Sequence, residues 1–272
     1  MSEPVFLQKI RHLFHTASLD ERRCALCHAP FSPVPHDAAC AASSFPLPTA
    51  SLCPSCTPLL RPRTAGYCPR CGRLQATPDA PPSPCGDCLA VPPPWDHFRF
   101  YGVYADVLKD LLLRGKFGAD PVALNLLGNF LAQVCLDLPR PDAIVPMPLH
   151  PSRLRERGFN QCQELAYPVA EALGVPLRPD FLVRCLPTPH QVGLNRQERL
   201  NNLKNAFVAS PAVRGMRILL IDDTCTTGTT LRRATLALLD SHGEAQAVDV
   251  AVVARTSSER SNSSNMSFLR QY

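Results

Sequence analysis

Two neighbouring acids followed by a hydroxyl-rich turn form the stretch with the clearest chemistry. Asp222 and Asp223 come directly after the apolar run 218–221, which has the pattern of a buried strand. The turn that follows contains Thr226, Thr227, Gly228, Thr229 and Thr230. A strand, such a turn and a helix present backbone N–H groups to a phosphate, and paired carboxylates accept hydrogen bonds from sugar hydroxyls. The stretch therefore predicts a site for a ribose 5-phosphate.

A plainer interpretation of the same stretch is a strand-turn-helix corner in which the acids only cap the helix. The coincidence of two acids and a Thr-rich turn directly after a strand favours the ribose-phosphate site. Cys225 lies in the same turn. We expect it to be a small buried filler rather than a reactive thiol, although a nearby helix N-terminus can lower a thiol pKa.

Eight of the 13 cysteines form CxxC pairs in the first part of the chain. The pairs are Cys24 with Cys27, Cys53 with Cys56, Cys68 with Cys71, and Cys85 with Cys88. Two thiolates at this spacing converge on one metal ion, so the eight cysteines predict two structural Zn²⁺ sites. Sequential pairing joins the first two pairs at one ion and the last two at the other. Interleaved pairing stays open, as do redox dithiols and disulfides.

The later part of the chain alternates short apolar strands with amphipathic helices. Strands are expected near 142–145, 181–185 and 247–254 in addition to the one before the acids. Asp120 and Pro121 mark the start of a helix. This alternation predicts an α/β domain with a parallel sheet, and ligands of such sheets bind at the carboxyl ends of the strands.

Composition sets the expected organisation and compartment. The 272 residues suffice for two domains, and the net charge of +5 does not by itself demand a nucleic-acid partner. We expect a Cys-rich module with a Pro-rich linker at 1–94, an α/β domain at 95–256 and a disordered tail at 257–272. Neither a signal peptide nor a transmembrane segment is recognisable, so a cytoplasmic protein with reduced cysteines is the expectation.

The stretch 218–230 resembles the signature of type I phosphoribosyltransferases, in which four apolar residues and two acids precede a loop ending in Thr-Gly-x-Thr. From Cys24 to Arg255 the chain resembles the ComF family, the ComFC or GntX-like proteins of bacterial competence and DNA utilisation. The resemblance is carried by the four CxxC pairs, Arg114 with Gly115, residues 145–150, 153–161 and 188–191, Arg199, Asn202 and the acid-Thr-Gly block. It implies a parallel-sheet phosphoribosyltransferase-like domain preceded by a small double zinc-ribbon domain.

The resemblance also implies a ligand, phosphoribosyl pyrophosphate. The turn would hold its 5-phosphate and the acids its ribose diol, directly or through Mg²⁺ shared with the pyrophosphate oxygens. Candidates beside the expected pyrophosphate position are His150, Arg153, Arg155 and Arg157, because arginine binds phosphate oxygens in pairs. Candidates in the expected hood over the site are Gln191 and Arg199. A solvated helix start and a polar surface segment are the respective alternatives.

The function that the resemblance implies is cytoplasmic DNA uptake, in competence and natural transformation, or DNA utilisation. Single-stranded DNA is an expected partner, supported by arginines around the CxxC pairs, and a DNA-uptake helicase or channel at the inner membrane is a second. The alternative is a catalytically active phosphoribosyltransferase with an unknown acceptor. No acceptor-base site is recognisable in the sequence, so enzymatic turnover stays an open hypothesis.

Overall fold

The computed structural model describes residues 22–32, 51–185, 206–240 and 243–257. Apart from residue 257, the predicted tail lies outside these ranges. The elements in chain order are β1 (Arg22–Arg23), β2 (Pro30–Phe31), α1 (Gly86–Ala90), β3 (Phe98–Val103), α2 (Asp106–Phe117), α3 (Pro121–Cys135), β4 (Ala143–Pro146), α4 (Pro151–Arg157), α5 (Gln161–Leu173), β5 (Leu182–Arg184), β6 (Phe207–Ala209), β7 (Arg217–Cys225), α6 (Thr229–Leu239) and β8 (Ala247–Arg255).

A four-stranded parallel sheet in the order β3-β8-β7-β4 forms the centre of the described structure. Helices follow β3, β4 and β7, which is the alternation that the sequence predicts. This confirms the expectation of an α/β domain with a parallel sheet. Because the strands are parallel, all four carboxyl ends meet at one edge of the sheet.

Local sequence signals explain where the helices begin and end. The Asp120 carboxylate accepts hydrogen bonds from the N–H groups of Val122 and Ala123 at 3.0 Å, so it caps α3 as predicted. Helix α3 ends at Cys135. Helix α5 ends at Gly174, whose φ of 61° is the left-handed conformation that glycine adopts without strain.

Each face of the sheet has its own hydrophobic core. On one face, alternate strand residues such as Leu219 and Ile221 pack with α2, α3 and α5. On the other face, Ile218 and Leu220 pack with α6 and with the aromatic residues that precede and begin β3. This alternation follows from the strand period of two, and both faces of a parallel sheet are covered in this way.

Close packing of α5 against α3 brings the start of α5 to the carboxyl edge of the sheet. A Cβ atom on Gly128 of α3 would lie 2.8 Å from the backbone oxygen of Leu165 in α5, so only glycine allows this approach. The first residues of α5, Gln161 and Cys162, are buried beside the end of β7. The packing of the helices therefore decides which side chains the acids meet.

The cysteine-rich segments divide between the two cores. Cys24, Cys53 and Cys56 pack into the core of α2, α3 and α5, where the Tyr101 hydroxyl also donates to the Leu60 carbonyl at 2.7 Å. Cys71 packs against the opposite core, beside Trp95 and Phe98. The chain before β3 thus contacts both faces of the sheet.

Candidate functional site

Strand β7 runs through both acids and ends after them. Its pairing with β8 continues from Asp222 opposite Val252 to Cys225 opposite Arg255. The expectation that the acids stand at the end of the strand is therefore wrong, because the ladder with β8 extends further than the apolar run. Successive strand residues face opposite sides of a sheet, so the Asp222 and Asp223 side chains leave β7 on different sides.

The Asp223 carboxylate is buried and has partners from three parts of the chain. One oxygen accepts a hydrogen bond from the Gln161 amide at 3.2 Å and lies 3.3 Å from the Lys116 ammonium. The other accepts a hydrogen bond from the Thr224 hydroxyl at 3.0 Å. Lys116 stands near the end of α2 and Gln161 at the start of α5, so helix packing fixes the carboxylate before any ligand arrives.

The Asp222 carboxyl group is enclosed although the residue keeps some exposed surface. Its Oδ1 atom accepts hydrogen bonds from the Asp223 N–H at 2.8 Å and from the Cys162 thiol at 3.3 Å. Burial, and after it the charge of Asp223, raises the pKa of Asp222 to about 7. Burial and the charges of the two acids also raise the pKa of Cys162. The acid pair thus resists carrying two full negative charges.

The acid pair has a donor set that suits a hard divalent cation only in part. Ligand atoms of Asp222, Asp223 and Cys162 lie within 4.8 Å of one another. Two carboxylates are the oxygen ligands that Mg²⁺ prefers, whereas a protonated thiol is not a magnesium ligand. The fit therefore rests on the carboxylates, with further oxygen ligands supplied by substrate and water.

The hydroxyl-rich turn is open to solvent at the start of α6. Thr226 and Thr227 are exposed, and Gly228 adopts a φ of 76° immediately before the helix begins at Thr229. The hydroxyls of Thr227 and Thr229 lie 2.9 Å apart, and both residues are exposed. Free N–H groups at the first turn of a helix attract anions.

Arg255 supports the turn from behind. This buried side chain donates to the Cys225 carbonyl at 2.7 Å and also to the Thr226 carbonyl. In a trans peptide the carbonyl and the following N–H point in opposite directions. The N–H groups of Thr226 and Thr227 therefore point away from Arg255, which leaves them for a ligand on the front of the turn.

Trp95 connects the turn to the cysteine-rich segment. Its ring lies 3.7 Å from the position that a Cβ atom on Gly228 would take. Its indole N–H donates to the Arg70 carbonyl at 2.7 Å, and Arg70 stands between Cys68 and Cys71. One buried side chain therefore contacts both the turn and a CxxC pair.

The cationic candidates occupy the short helix α4 and differ in their contacts. His150 caps this helix by accepting the Ser152 N–H at 3.2 Å, and Arg153 and Arg155 are exposed. Arg157 donates to the Gln161 side chain at 2.5 Å, which joins it to the partners of Asp223. Burial, and next the charge of Arg153, lowers the pKa of Arg184. The hood candidates Gln191 and Arg199 lie outside the described residues.

The eight CxxC cysteines form two separate groups of four. One contains Cys24, Cys27, Cys53 and Cys56, and the other contains Cys68, Cys71, Cys85 and Cys88. The CxxC pairs are therefore grouped sequentially, whereas the sequence alone leaves sequential and interleaved pairing open. Each group could hold one structural metal ion, because its sulfur atoms lie within 4.8 Å of one another.

The geometry of both groups fits a tetrahedral metal site. The sulfur atoms of Cys27 and Cys53 lie 3.8 Å apart, and those of Cys71 and Cys85 lie 3.7 Å apart. Zinc bound tetrahedrally at about 2.3 Å separates its sulfur ligands by ~3.8 Å. Burial opposes thiolate formation at Cys24, but hydrogen bonds from neighbouring backbone groups outweigh it and lower its pKa to about 6. A stabilised thiolate is the form that binds a metal.

Several arginines around the cysteines hold the module together. Arg63 donates to the carbonyls of Ala65 and Pro78, Arg70 donates to the Cys88 carbonyl, and Arg73 pairs with Asp87. These groups already have partners within the protein. The arginines near the CxxC pairs are therefore weaker evidence for DNA contact than the sequence alone indicates.

Comparison with known proteins identifies the family. The phosphoribosyl transferase domain family matches residues 161–269, a span that begins at the helix beside the acids. DNA utilization protein YhgH of Salmonella typhi is 35% identical over 211 residues, which cover 75% of this chain and 90% of that protein. Competence protein F of Haemophilus influenzae is 33% identical over 190 residues, covering 66% and 80%. Competence protein ComFC of Bacillus subtilis is 32% identical over 238 residues, covering 83% and 91%.

The chain belongs to the ComF family. Membership agrees with the resemblance that the sequence motifs indicate, and the match with ComFC spans 83% of this chain. No helix in the described parts of this ComF-family chain combines the length and apolarity needed to cross a membrane.

Sequence reasoning missed the side chains that surround the acids in this ComF-family structure. Lys116, Gln161 and Cys162 contact the acid pair, and Arg255 and Trp95 support the turn. Gln161 is the last residue of the segment 153–161 that carries the family resemblance, and Cys162 directly follows it. Lys116 directly follows Arg114 and Gly115, a shorter motif of the family resemblance, so this motif marks the segment that contacts the acids.

Proposed function

We propose that this ComF-family chain binds phosphoribosyl pyrophosphate, or a related ribose phosphate, and acts in DNA uptake or DNA utilisation. The observation that carries the proposal is the position of the fixed acid pair immediately before the exposed turn. Asp223, held by Lys116 and Gln161, lies directly before a solvent-open Thr-rich turn at the start of α6. Carboxylates suit the ribose hydroxyls, and the turn suits the 5-phosphate.

In this proposal each part of the site has a separate role. Thr226, Thr227, Gly228, Thr229 and Thr230 bind the 5-phosphate through N–H groups and hydroxyls. Asp222 and Asp223 accept hydrogen bonds from the ribose diol. Arg153 and Arg155, exposed on α4, provide charge for the pyrophosphate end. Magnesium, when bound, would neutralise part of the pyrophosphate charge.

The cysteine groups are proposed as two structural Zn²⁺ sites in a module spanning 1–94, followed by the phosphoribosyltransferase-like domain at 95–256. Four cysteine sulfur atoms within 4.8 Å of one another in each group, with backbone N–H groups donating to the Cys24 and Cys68 sulfur atoms at 3.4 and 3.3 Å, support this assignment. The cytoplasm is the proposed compartment, because it keeps such thiols reduced and available to a metal.

Single-stranded DNA is the proposed macromolecular partner, with a DNA-uptake helicase or channel as a further one. The names of two relatives, DNA utilization protein YhgH and competence protein ComFC, support a role in DNA utilisation or competence. Exposed Arg153 and Arg155 are better placed for phosphate contact than arginines already bonded around the cysteines. Loss of both charges in the full chain should weaken binding of a labelled single strand and reduce its salt slope by about one to two.

A second candidate function is phosphoribosyl transfer to an acceptor. The preformed contacts of Asp223 with Lys116 and Gln161 favour it, since a catalytic site needs its groups fixed before the substrate binds. Release of pyrophosphate with a panel of acceptors would support this function. Binding without release would leave the chain as a ligand-dependent DNA-handling protein.

Calorimetry with phosphoribosyl pyrophosphate and Mg²⁺ tests the proposed function. We expect the double variant Asp222→Asn/Asp223→Asn to lose at least about tenfold in affinity, because amides do not replace charge-assisted acceptors. Asp180→Asn is the matched control, since this exposed acid pairs with Arg178 away from the site. Unchanged affinity in the double variant would overturn the assignment.

A further inference from the structure

Phe117 is an aromatic ring displayed to solvent beside the acid pair. It is the last residue of α2 and is 73% exposed, the highest value among the large apolar side chains that the structure describes. Its neighbour in the chain, Lys116, reaches the Asp223 carboxylate at 3.3 Å. The end of α2 therefore presents two different groups, an ammonium to the acids and a ring to solvent.

A second set of contacts ties the same ring to the site. The Arg157 guanidinium lies over the Phe117 ring, 5.6 Å from its centroid. Arg157 also donates to the Gln161 side chain at 2.5 Å, and Gln161 donates to Asp223 at 3.2 Å. The ring is thus connected to Asp223 through α2 on one side and through Arg157 and Gln161 on the other.

The chemistry of this pair suits a flat heterocycle. Every nucleobase has a π-face that stacks on an aromatic side chain, and a guanidinium stacked on the ring extends the same platform. In a nucleotide the base is attached to C1′, next to the hydroxyls assigned to Asp222 and Asp223. A base on that ribose would lie beside the acids, on the side away from the 5-phosphate turn.

We propose that Phe117, backed by Arg157, is the stacking surface for the base of a nucleoside 5′-monophosphate whose ribose phosphate occupies the site at 222–230. This inference rests on the proposed function for the position of the ribose phosphate. It adds the ligand class, a nucleotide, and it assigns a binding position for the base, which the sequence alone did not indicate. Phe117 is a binding residue in this account and takes no part in bond making.

The test compares adenosine 5′-monophosphate with ribose 5-phosphate by calorimetry on the full chain. Phe117→Ala should weaken binding of the nucleotide by about 5- to 100-fold and leave ribose 5-phosphate unchanged. Phe117→Trp should restore nucleotide binding, whereas Phe117→Leu, which keeps apolar volume without a π-face, should not. Leu136→Ala, another exposed apolar residue, is the matched control and should change neither affinity.

The outcomes separate this inference from the proposed function. Equal nucleotide affinity in the wild type and Phe117→Ala, with ribose 5-phosphate still bound, would overturn the stacking surface and leave the ribose-phosphate site standing. Nucleotide binding that depends on Phe117 without any binding of ribose 5-phosphate would support the stacking surface and contradict the proposed ribose-phosphate site. Binding of neither ligand would overturn both.

Discussion

The acid pair and the hydroxyl-rich turn are neighbours in sequence but are built in different ways. Asp222 and Asp223 are enclosed, and their partners come from α2, α5 and β7. The turn is exposed, and its own hydroxyls are its nearest partners. The acid pair is therefore organised by tertiary packing, whereas the turn is organised locally, with the Thr229 N–H donating to the Thr227 hydroxyl at 3.4 Å.

The contrast extends to what supports each half. The acids depend on how α5 packs against α3, which places Gln161 and Cys162 at the edge of the sheet. The turn depends on Arg255 and Trp95 behind it, and Trp95 also contacts a CxxC pair. Loss of the group formed by Cys68, Cys71, Cys85 and Cys88 should therefore affect the turn more than it affects the acids.

Replacing Trp95 should give the largest effect on the phosphate half. Trp95→Ala removes a buried indole and should lower the free energy of unfolding by about 3–5 kcal/mol. The turn loses its backing, so affinity for phosphoribosyl pyrophosphate should fall as well. Urea denaturation and calorimetry measure the two effects.

Trp95→Phe is the matched control for that substitution. It keeps an aromatic ring near Gly228 and loses only the hydrogen bond to the Arg70 carbonyl, at a cost of about 0.5–1.5 kcal/mol. A Trp95→Ala protein that is folded and binds the ligand like the wild type would contradict the link between the turn and the cysteine group.

The pH dependence of the free energy of unfolding should report on the Asp222 carboxyl group. The raised pKa of Asp222, about 7 against 3.8 in the unfolded chain, means that the folded protein holds a proton that the unfolded chain has lost between these values. The contribution of Asp222 to stability should therefore be fully present below about pH 4 and be lost as pH rises towards 7, by up to about 1.4 kcal/mol per pH unit.

Asp222→Asn isolates the contribution of that group. Urea denaturation at several pH values should show a weaker decline for the variant than for the wild type between pH 4 and 7. The expected sign follows from burial and from the charge of Asp223, both of which disfavour the ionised form. An equal decline of the free energy of unfolding with pH in the two proteins would contradict a raised pKa of Asp222 and the enclosure of its carboxyl group.

Gly228→Ala should cause a smaller loss of stability than Trp95→Ala and a selective effect on the turn. The φ of 76° costs a side-chain-bearing residue about 1–2 kcal/mol, and the new Cβ meets only ordinary contacts at 3.7 Å. Ligand affinity should fall because the turn relaxes towards a different backbone conformation.

Gly215→Ala is the matched control, because it places a side chain on a residue with a similar positive φ away from the turn. Gly215 has a φ of 72°, and nothing lies within 4 Å of the added Cβ. Thermal unfolding should show similar losses for both variants, while calorimetry should show weaker ligand binding only for Gly228→Ala. Equal affinities in the two variants would mean that the phosphate does not contact this turn.

The same contrast explains how far the sequence could predict the structure. The turn is local, so the run of Thr and Gly after two acids and an apolar strand predicts its position and shape. The spacing of the CxxC pairs predicts two four-cysteine groups for the same reason. The partition of the eight cysteines stayed open, because it depends on how segments far apart in the sequence fold together.

The contacts of the acids could not be predicted from local patterns. Lys116 and Gln161 stand 107 and 62 residues before Asp223, and only the packing of α2 and α5 brings them together. Arg255 resembles any charged residue at the end of an apolar strand until the structure shows its bonds to the turn. The strand also extends beyond its apolar run, because ladder pairing with β8 outweighs the polar character of the acids.

A crystal structure of the full chain with phosphoribosyl pyrophosphate and Mg²⁺ tests the central claim most directly. The account predicts the 5-phosphate within about 2.7–3.2 Å of N–H groups in the turn at 226–230, and the ribose hydroxyls against Asp222 and Asp223. Ligand density at another place, with the turn empty and both acids bonded only to protein groups, would contradict it.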